Sequence, residues 1–214
     1  GGVDGAWLEL WLPWVESLCS LCLDSRSAVR DHAVVALQRA ILHADLKELG
    51  AAVWSRCFDR VIFPWLSQLL KREVEGHIDD ERLKRRAVTL LSKAFLHHLQ
   101  ELLTLPDFHL LWLRALELLE QFMKSANNEL LLEAVPETLK NMLLVMSTSG
   151  AFDVGSAVAD SGQSLSTITK AVIDGFCPGL CDGEDLVGLW EPAVAIGRAE
   201  GLVEEKGAEN GAKA

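Results

Sequence analysis

Apolar residues recur at intervals of three and four along the first 149 residues, and this helical period most strongly limits what the chain can form. No segment alternates strictly between apolar and polar residues, as a half-buried strand would. Half of the 214 residues are hydrophobic, which is enough for a sizeable core. The sequence therefore predicts an all-α fold.

The segment with this helical period comprises six amphipathic helices, which we expect to form three hairpins. We predict that the first helix buries Trp7, Trp11, Trp14, Leu18 and Leu21. The other buried stripes lie at 29–41, 54–69, 83–98 and 108–122, and a sixth helix runs towards Met146. Side-chain oxygens that could cap the second, fourth and sixth helices lie at 24–27, at Asp79 or Asp80, and at Asn127 or Asn128.

An internal repeat strengthens the prediction of stacked hairpins. Residues 12–15 (Leu-Pro-Trp-Val) and residues 63–66 (Phe-Pro-Trp-Leu) share a pattern 51 residues apart, with a proline inside a helix. We expect each proline to kink its helix, and Pro136 to kink or divide the sixth helix. The unit is slightly longer than HEAT or armadillo pairs of about 40 to 47 residues. We predict a solenoid of about three HEAT-like or TPR-like pairs, and the sequence leaves these two types open.

The composition changes near Gly150. Residues 150–214 hold 11 of the 16 glycines and carry 4 basic against 11 acidic side chains. We therefore predict a helical repeat domain at 6–149 and a Gly-rich linker at 150–164. One or two short, looser helices should follow at 165–200, and a disordered acidic tail at 201–214.

Charge and composition also exclude several classes of function. A net charge of −11 repels phosphate backbones, so we expect no nucleic-acid partner. The longest uncharged run covers 12 residues, whereas a bilayer span needs about 20. Because no signal-peptide pattern is present and the chain opens without Met, we expect a cytoplasmic piece of a longer protein.

Cysteines and histidines are the candidate chemical groups. Cysteine pairs at the spacing of Cys19 and Cys22 can hold Zn or exchange disulfides, but no second Cys/His pair follows at zinc-finger spacing. Five cysteines, including Cys19-x-x-Cys22, fall mostly on apolar stripes and are predicted to be reduced core thiols. His97 and His98 are adjacent on a helix, so they point about 100 degrees apart and should not face one substrate. We predict no catalytic residue, metal or cofactor.

The fourth helix carries the most concentrated basic patch of this acidic chain. Arg82, Arg85, Arg86 and Lys93 fall on one ridge of that helix, while Lys84 projects from the other flank. The ridge could be a solvated helix face. It could also contact an acidic protein or anionic lipid head groups.

Several short segments of the sequence resemble those of a known family. Residues 133–146 (EAVPETLKNMLLVM) resemble a segment near the C-terminus of the large brefeldin-A-related guanine-nucleotide exchange factors for Arf GTPases, in their Golgi subgroup. Further segments similar to that family lie upstream, in the same order as in the family, at 37–42, 57–64, 90–96 and 112–113. A weaker similarity lies downstream at 173–180.

The resemblance implies a non-catalytic scaffold. In that family a separate domain catalyses exchange with a glutamate finger, and neither that domain nor its motif is found here. The resemblance therefore implies a module for membrane recruitment, regulation or partner binding at the Golgi. It also implies an Arf-family GTPase as the partner of the parent protein. The alternative is a stand-alone HEAT or TPR adaptor of unrelated function, and the oligomeric state stays open.

Overall fold

The fold is all-α, as the helical period predicts. A computed structural model describes residues 5, 7–43, 46, 49–74, 81–126, 129–152 and 163–190. Within these ranges the chain forms helices joined by short turns, and no strand. The predicted tail, most of the predicted linker, and the predicted caps at Asp79, Asp80, Asn127 and Asn128 lie outside the described residues.

The helices follow one another along the chain with few interruptions. The α-helices are α1 (Leu12–Leu21), α2 (Ser27–Ile41), α3 (Ala51–Cys57), α4 (Phe63–Val74), α5 (Glu81–His97), α6 (Leu99–Leu102), α7 (Phe108–Lys124), α8 (Glu129–Thr148) and α9 (Leu165–Phe176). Two π-helical segments, Trp7–Trp11 and Phe58–Ile62, directly precede α1 and α4, and a short 3-10 helix spans Val187–Leu189.

The helices stack in two layers. In the first layer, α1 contacts the second π segment, α4 contacts α7, and α7 contacts α9. In the second layer, α2 contacts α5, and α5 packs extensively against α8. Because each helix packs on its counterpart in the next pair, the chain is a helix-pair solenoid with a shared core between pairs. This arrangement matches the predicted stack of three pairs.

The prolines of the repeated motif are accommodated by π-helix. A proline cannot donate a backbone hydrogen bond, and its ring crowds the carbonyl of the residue four positions earlier. In both motifs the turn before the proline is π-helical, and the Phe63 N–H accordingly bonds the carbonyl of Phe58, five residues back. Single π turns inside α-helices are a known way to absorb such a conflict. Pro136, in contrast, lies inside an undivided α8.

Aromatic rings connect each pair to the next through the core. Trp11 of the first pair lies 5.8 Å from Trp54 of the second, measured between ring centroids. Trp54 also stacks on His98 at 3.3 Å. Further along the stack, Phe95 lies 5.5 Å from Trp112 of the third pair. Edge-to-face and offset ring contacts of this kind add to the stability gained from burial alone.

The C-terminal helix α9 is joined to the third pair. The Trp112 indole N–H donates to the Thr169 hydroxyl over 2.9 Å, and both side chains are buried. Ser164 caps α9 by accepting the Thr167 N–H at 3.2 Å. Although the sequence suggests a looser helix here, α9 continues the first layer beyond α7. Its Leu165 packs in the core with no measurable exposure.

The first helix pair differs from the sequence prediction in two respects. Trp14 and Leu21 were predicted to be buried, but they are 52% and 45% exposed, and the buried side chains of α1 are Leu12, Val15 and Cys19. The prediction was wrong because α1 has a neighbouring pair on one side only. The predicted side-chain cap of α2 is also absent.

Arginines hold the turn between α1 and α2 instead. Asp24 accepts the Arg26 backbone N–H at 2.9 Å and pairs with the Arg26 guanidinium. This hydrogen-bonded pair lowers the pKa of Asp24 to about 2. The Arg30 guanidinium donates to the carbonyls of Asp24 and Ser25, both at 2.9 Å. Two carbonyl oxygens of the turn are therefore satisfied by one side chain of α2.

Trp65→Ala is expected to destabilise the chain by about 3–5 kcal/mol, because it leaves a cavity where an indole is only 2% exposed. Trp14→Ala, at the equivalent position of the first pair, should cost less than about 1 kcal/mol. Urea unfolding followed by circular dichroism measures both free energies. Equal costs for the two substitutions would contradict the stacking order described above.

Candidate interaction surface

The predicted basic ridge lies on α5, the second-layer helix of the middle pair. Arg82, Arg85 and Lys93 are exposed, and Arg86 is about one-third exposed. Residues 82 and 93 are 11 positions apart, so the ridge runs for about 16 Å at 1.5 Å per residue. Apolar side chains on the opposite side of α5 pack into the core. The ridge side chains therefore project from a helix whose opposite face is held by packing in the core.

One member of the ridge is committed to a neighbouring helix. The Arg86 guanidinium pairs with the Asp31 carboxylate of α2 over 2.5 Å, and it also donates to the Asp31 carbonyl at 3.4 Å. In the part of the chain that the structure describes, no ion pair engages Arg82, Arg85 or Lys93. Three of the four predicted patch residues therefore keep an uncompensated positive charge at the surface.

Lys84 has a different role from its basic neighbours. Its side chain is 1% exposed, and its ammonium group pairs with the Glu81 carboxylate at 2.7 Å. The same ammonium donates to the Ser125 carbonyl at 3.2 Å, at the C-terminal end of α7. A cation at that position also interacts favourably with the helix dipole. Lys84 thus joins α5 to α7, and the prediction that it projects from the other flank of the basic helix was wrong.

The cysteines are buried and free, as predicted. Burial raises the pKa of the Cys19, Cys22 and Cys57 thiols, to about 12 in the case of Cys22. Desolvation likewise raises the pKa of Cys181 to about 11. Since the thiolate is the nucleophile and the metal ligand, all four groups are held in their unreactive form at neutral pH.

The two adjacent histidines differ in burial, although their rings meet edge to face with centroids 4.7 Å apart. His98 is buried, stacks on Trp54 and lies with its Nε2 atom 3.1 Å from the Ile41 carbonyl, while His97 is exposed. Among the described residues, no group of three or more His, Cys, Asp or Glu side chains has the arrangement of a metal site. None of the described helices is both long and apolar enough to span a bilayer.

Comparison with known proteins identifies a family of helical repeats. Residues 11–180 match the family described as "GBF1-like, tetratrico peptide repeat region". The match extends past the predicted boundary at 149 and includes α9. No solved structure matches the chain.

Similar curated proteins are far longer than this chain. The ARF guanine-nucleotide exchange factor GNOM of Arabidopsis thaliana is 39% identical over 179 residues, which is 80% of this chain and 12% of that protein. The Golgi-specific brefeldin A-resistance guanine nucleotide exchange factor 1 homolog of Caenorhabditis elegans is 40% identical over 147 residues (68% and 7%). The ARF guanine-nucleotide exchange factor GNL1 of Arabidopsis thaliana is 38% identical over 163 residues (69% and 11%). The chain thus spans about a tenth of the length of these relatives.

Lys84→Ala is expected to destabilise the chain by about 3–5 kcal/mol, because it leaves the Glu81 carboxylate without its buried cation. Arg85→Ala, one position further on an exposed face, should change stability by less than about 0.5 kcal/mol. Chemical denaturation of the two variants beside the unmodified chain measures the difference. Similar values for both would mean that Lys84 is solvated and does not join α5 to α7.

Proposed function

The chain belongs to the GBF1-like tetratricopeptide repeat family, and from this membership we propose that it is a non-catalytic scaffold module of an Arf guanine-nucleotide exchange factor. The observation that carries this proposal is identity of 38–40% to exchange factors, confined to about a tenth of their length. One relative is named Golgi-specific and two are named ARF guanine-nucleotide exchange factors, and these names support a role in Golgi vesicle transport. Membership in this family argues against an adaptor of unrelated function.

The chemistry of the interior supports a role without catalysis. The thiols of Cys19, Cys22 and Cys57 lie in the core with raised pKa values. His98 is packed under Trp54, away from solvent. A general base or nucleophile needs a reacting group within hydrogen-bond reach, which these buried positions do not offer. In this proposal an Arf-family GTPase is the partner of the longer protein, through a different domain.

The α5 ridge is the surface that we propose for membrane recruitment. Arg82, Arg85 and Lys93 project together from the middle pair, and a basic residue close to an anionic bilayer contributes about 1 kcal/mol. Three such residues give an attraction of about 3 kcal/mol, which weakens as salt rises. Arg86 contributes less because Asp31 already neutralises it. The proposed location is therefore cytoplasmic, with peripheral and reversible contact at an anionic Golgi membrane.

The C-terminal part of the chain, residues 150–214, opposes this contact. Residues 150–214 carry 4 basic and 11 acidic side chains, so they supply −7 of the net charge of −11. Like charges repel over about a Debye length, close to 10 Å at 0.1 M salt. Binding of the full chain should therefore be weak and visible mainly at low ionic strength.

Flotation of the full chain with vesicles tests the ridge. We expect more chain to float with phosphatidylcholine vesicles that contain phosphatidylserine than with vesicles that lack it. Reversing three ridge charges (Arg82→Glu, Arg85→Glu and Lys93→Glu) should abolish the difference. A control with equal net charge (Arg39→Glu, Arg56→Glu and Lys124→Glu) should retain it, since these exposed residues lie on other helices.

Equal loss of flotation by the two triple variants would show only a net-charge effect and would contradict a role for the ridge. Absence of flotation by the unmodified chain at low salt would contradict membrane contact altogether. In that case, retention of the unmodified chain but not the ridge variant on an acidic polypeptide such as polyglutamate would indicate a protein partner.

Nucleotide exchange provides an independent test of the scaffold role. We expect the 214-residue chain to leave the rate of nucleotide release from an Arf protein unchanged. An exchange factor of full length serves as the positive control, and circular dichroism of the same sample shows that the chain is folded. Acceleration by the folded chain would contradict the proposed division between this module and catalysis.

A further inference from the structure

The outer side of α1 and of the π-helical turn before it exposes a row of large apolar side chains. Leu10, Trp14 and Leu21 are 74%, 52% and 45% exposed, and Leu18 lies between them. We name these four residues the α1 stripe. Two shallow apolar hollows border it, one of about 360 Å³ against Trp7 and Trp11, the other of about 490 Å³ against α2. A contiguous apolar patch of this kind on a soluble protein usually marks an interface.

The internal repeat shows what an equivalent stripe does elsewhere in the same chain. The residues 51 positions after the α1 stripe lie in the second pair. Three of these four residues are again large and apolar. These are Val61, Trp65 and Leu69, with exposures of 2%, 2% and 1%. The same repeat position is therefore open in the first pair and covered in the second.

Polar contacts identify the side from which the second pair is covered. Arg60 pairs with Glu16 of α1 over 3.0 Å, and the Arg72 guanidinium donates to the carbonyl of Leu23 at 2.5 Å. Val61 lies in the π-helical segment that α1 contacts, and Arg72 follows Leu69 by three positions and so shares its helix face. This face of the second pair therefore lies toward the first pair.

The repeat positions place the α1 stripe on the corresponding side of the first pair. Glu9 and Leu21 lie 51 residues before Arg60 and Arg72. A solenoid repeats one interface, in which one side of each pair docks on the opposite side of the preceding pair. We propose that the α1 stripe is such an interface and receives another helix pair of the same repeat type. The solenoid would thus extend beyond α1, and relatives about ten times longer have chain enough for it.

The residues of the stripe define the chemistry of the incoming pair. Glu9 stands where the second pair has Arg60, so the charge of the inter-pair contact is inverted. The incoming pair should place Lys or Arg opposite Glu9, at the position that corresponds to Glu16. Leu21 stands where the second pair has Arg72, so an apolar contact replaces the hydrogen bond to a carbonyl. The incoming helix therefore presents an apolar face with one basic residue on its edge.

A second copy of the chain fits this surface less well. In a two-fold dimer the same patch meets itself, so both Glu9 carboxylates would enter one interface. The four residues of the α1 stripe are uncharged, so they supply no positive charge to balance the two carboxylates. Like charges that meet in an interface disfavour association.

A tandem chain tests the proposal directly. One repeat unit, residues 7–57, is inserted before Trp7 of the full chain, so that Cys57 of the added unit precedes Trp7 as it naturally precedes Phe58. The side of the added unit that normally faces Arg60 then meets the α1 stripe. In one version the added unit carries Glu16→Arg, which supplies the cation opposite Glu9. The matched control keeps Glu16.

Trp14→Ala is then made in the original unit of each chain. In the 214-residue chain we expect it to change the Tm little, because Trp14 is half exposed. In the tandem chain with Glu16→Arg it should lower the Tm about as much as Trp65→Ala does. The control with Glu16 should show a smaller loss, since two carboxylates then meet.

Two results would overturn the proposal. One is an added unit that unfolds in a separate transition while Trp14→Ala stays without effect in both tandem chains. The other is dimerisation of the 214-residue chain, measured by sedimentation equilibrium, that Trp14→Ala abolishes, because the occupant would then be a second copy. Both measurements are independent of vesicle binding and nucleotide exchange.

Discussion

Each helix pair in this fold can bury its apolar face only against another pair, and the rest of the structure depends on that constraint. Ring contacts join consecutive pairs in the core: Trp11 contacts Trp54, and Phe95 contacts Trp112. Trp112 also joins the third pair to α9, because its indole N–H donates a hydrogen bond to Thr169. Stability is therefore shared between neighbours along the stack, and the first pair, which contacts one neighbouring pair, leaves Leu10, Trp14 and Leu21 exposed.

The sequence predicts the helices and their pairing because the apolar period is local, but it cannot predict burial at the end of a stack. Trp14 and Trp65 occupy the same motif, yet one is half exposed and the other buried. The difference lies in the neighbouring pair, which no local pattern contains. Lys84 is the opposite case. It was predicted on a helix flank, although its spacing of four, seven and eleven to Val88, Leu91 and Phe95 is a local pattern that is typical of a core position.

The prolines show a second limit of local patterns. Sequence identifies Pro13, Pro64 and Pro136 as breaks in hydrogen bonding, but each can be absorbed in more than one way. The two repeated motifs widen the preceding turn to a π-helix, and the helical residues continue without a gap into α1 and α4. Pro136 needs no such turn, and α8 stays undivided while packing closely against α5. Tertiary packing thus decides between a break, a π turn and an unbroken helix.

The two proposed surfaces differ in the physics of their contacts, and this difference assigns them different roles. Apolar side chains such as Leu10 and Trp14 gain free energy only when water is excluded, which favours a permanent intramolecular partner. The charges of Arg82, Arg85 and Lys93 act at the surface, and their attraction is weakened by salt, which suits a reversible contact. Because the ridge lies on α5 of the middle pair, extension of the stack at α1 covers the stripe and leaves the ridge accessible. A longer solenoid could therefore hold this module rigidly while the module still binds and leaves an anionic surface.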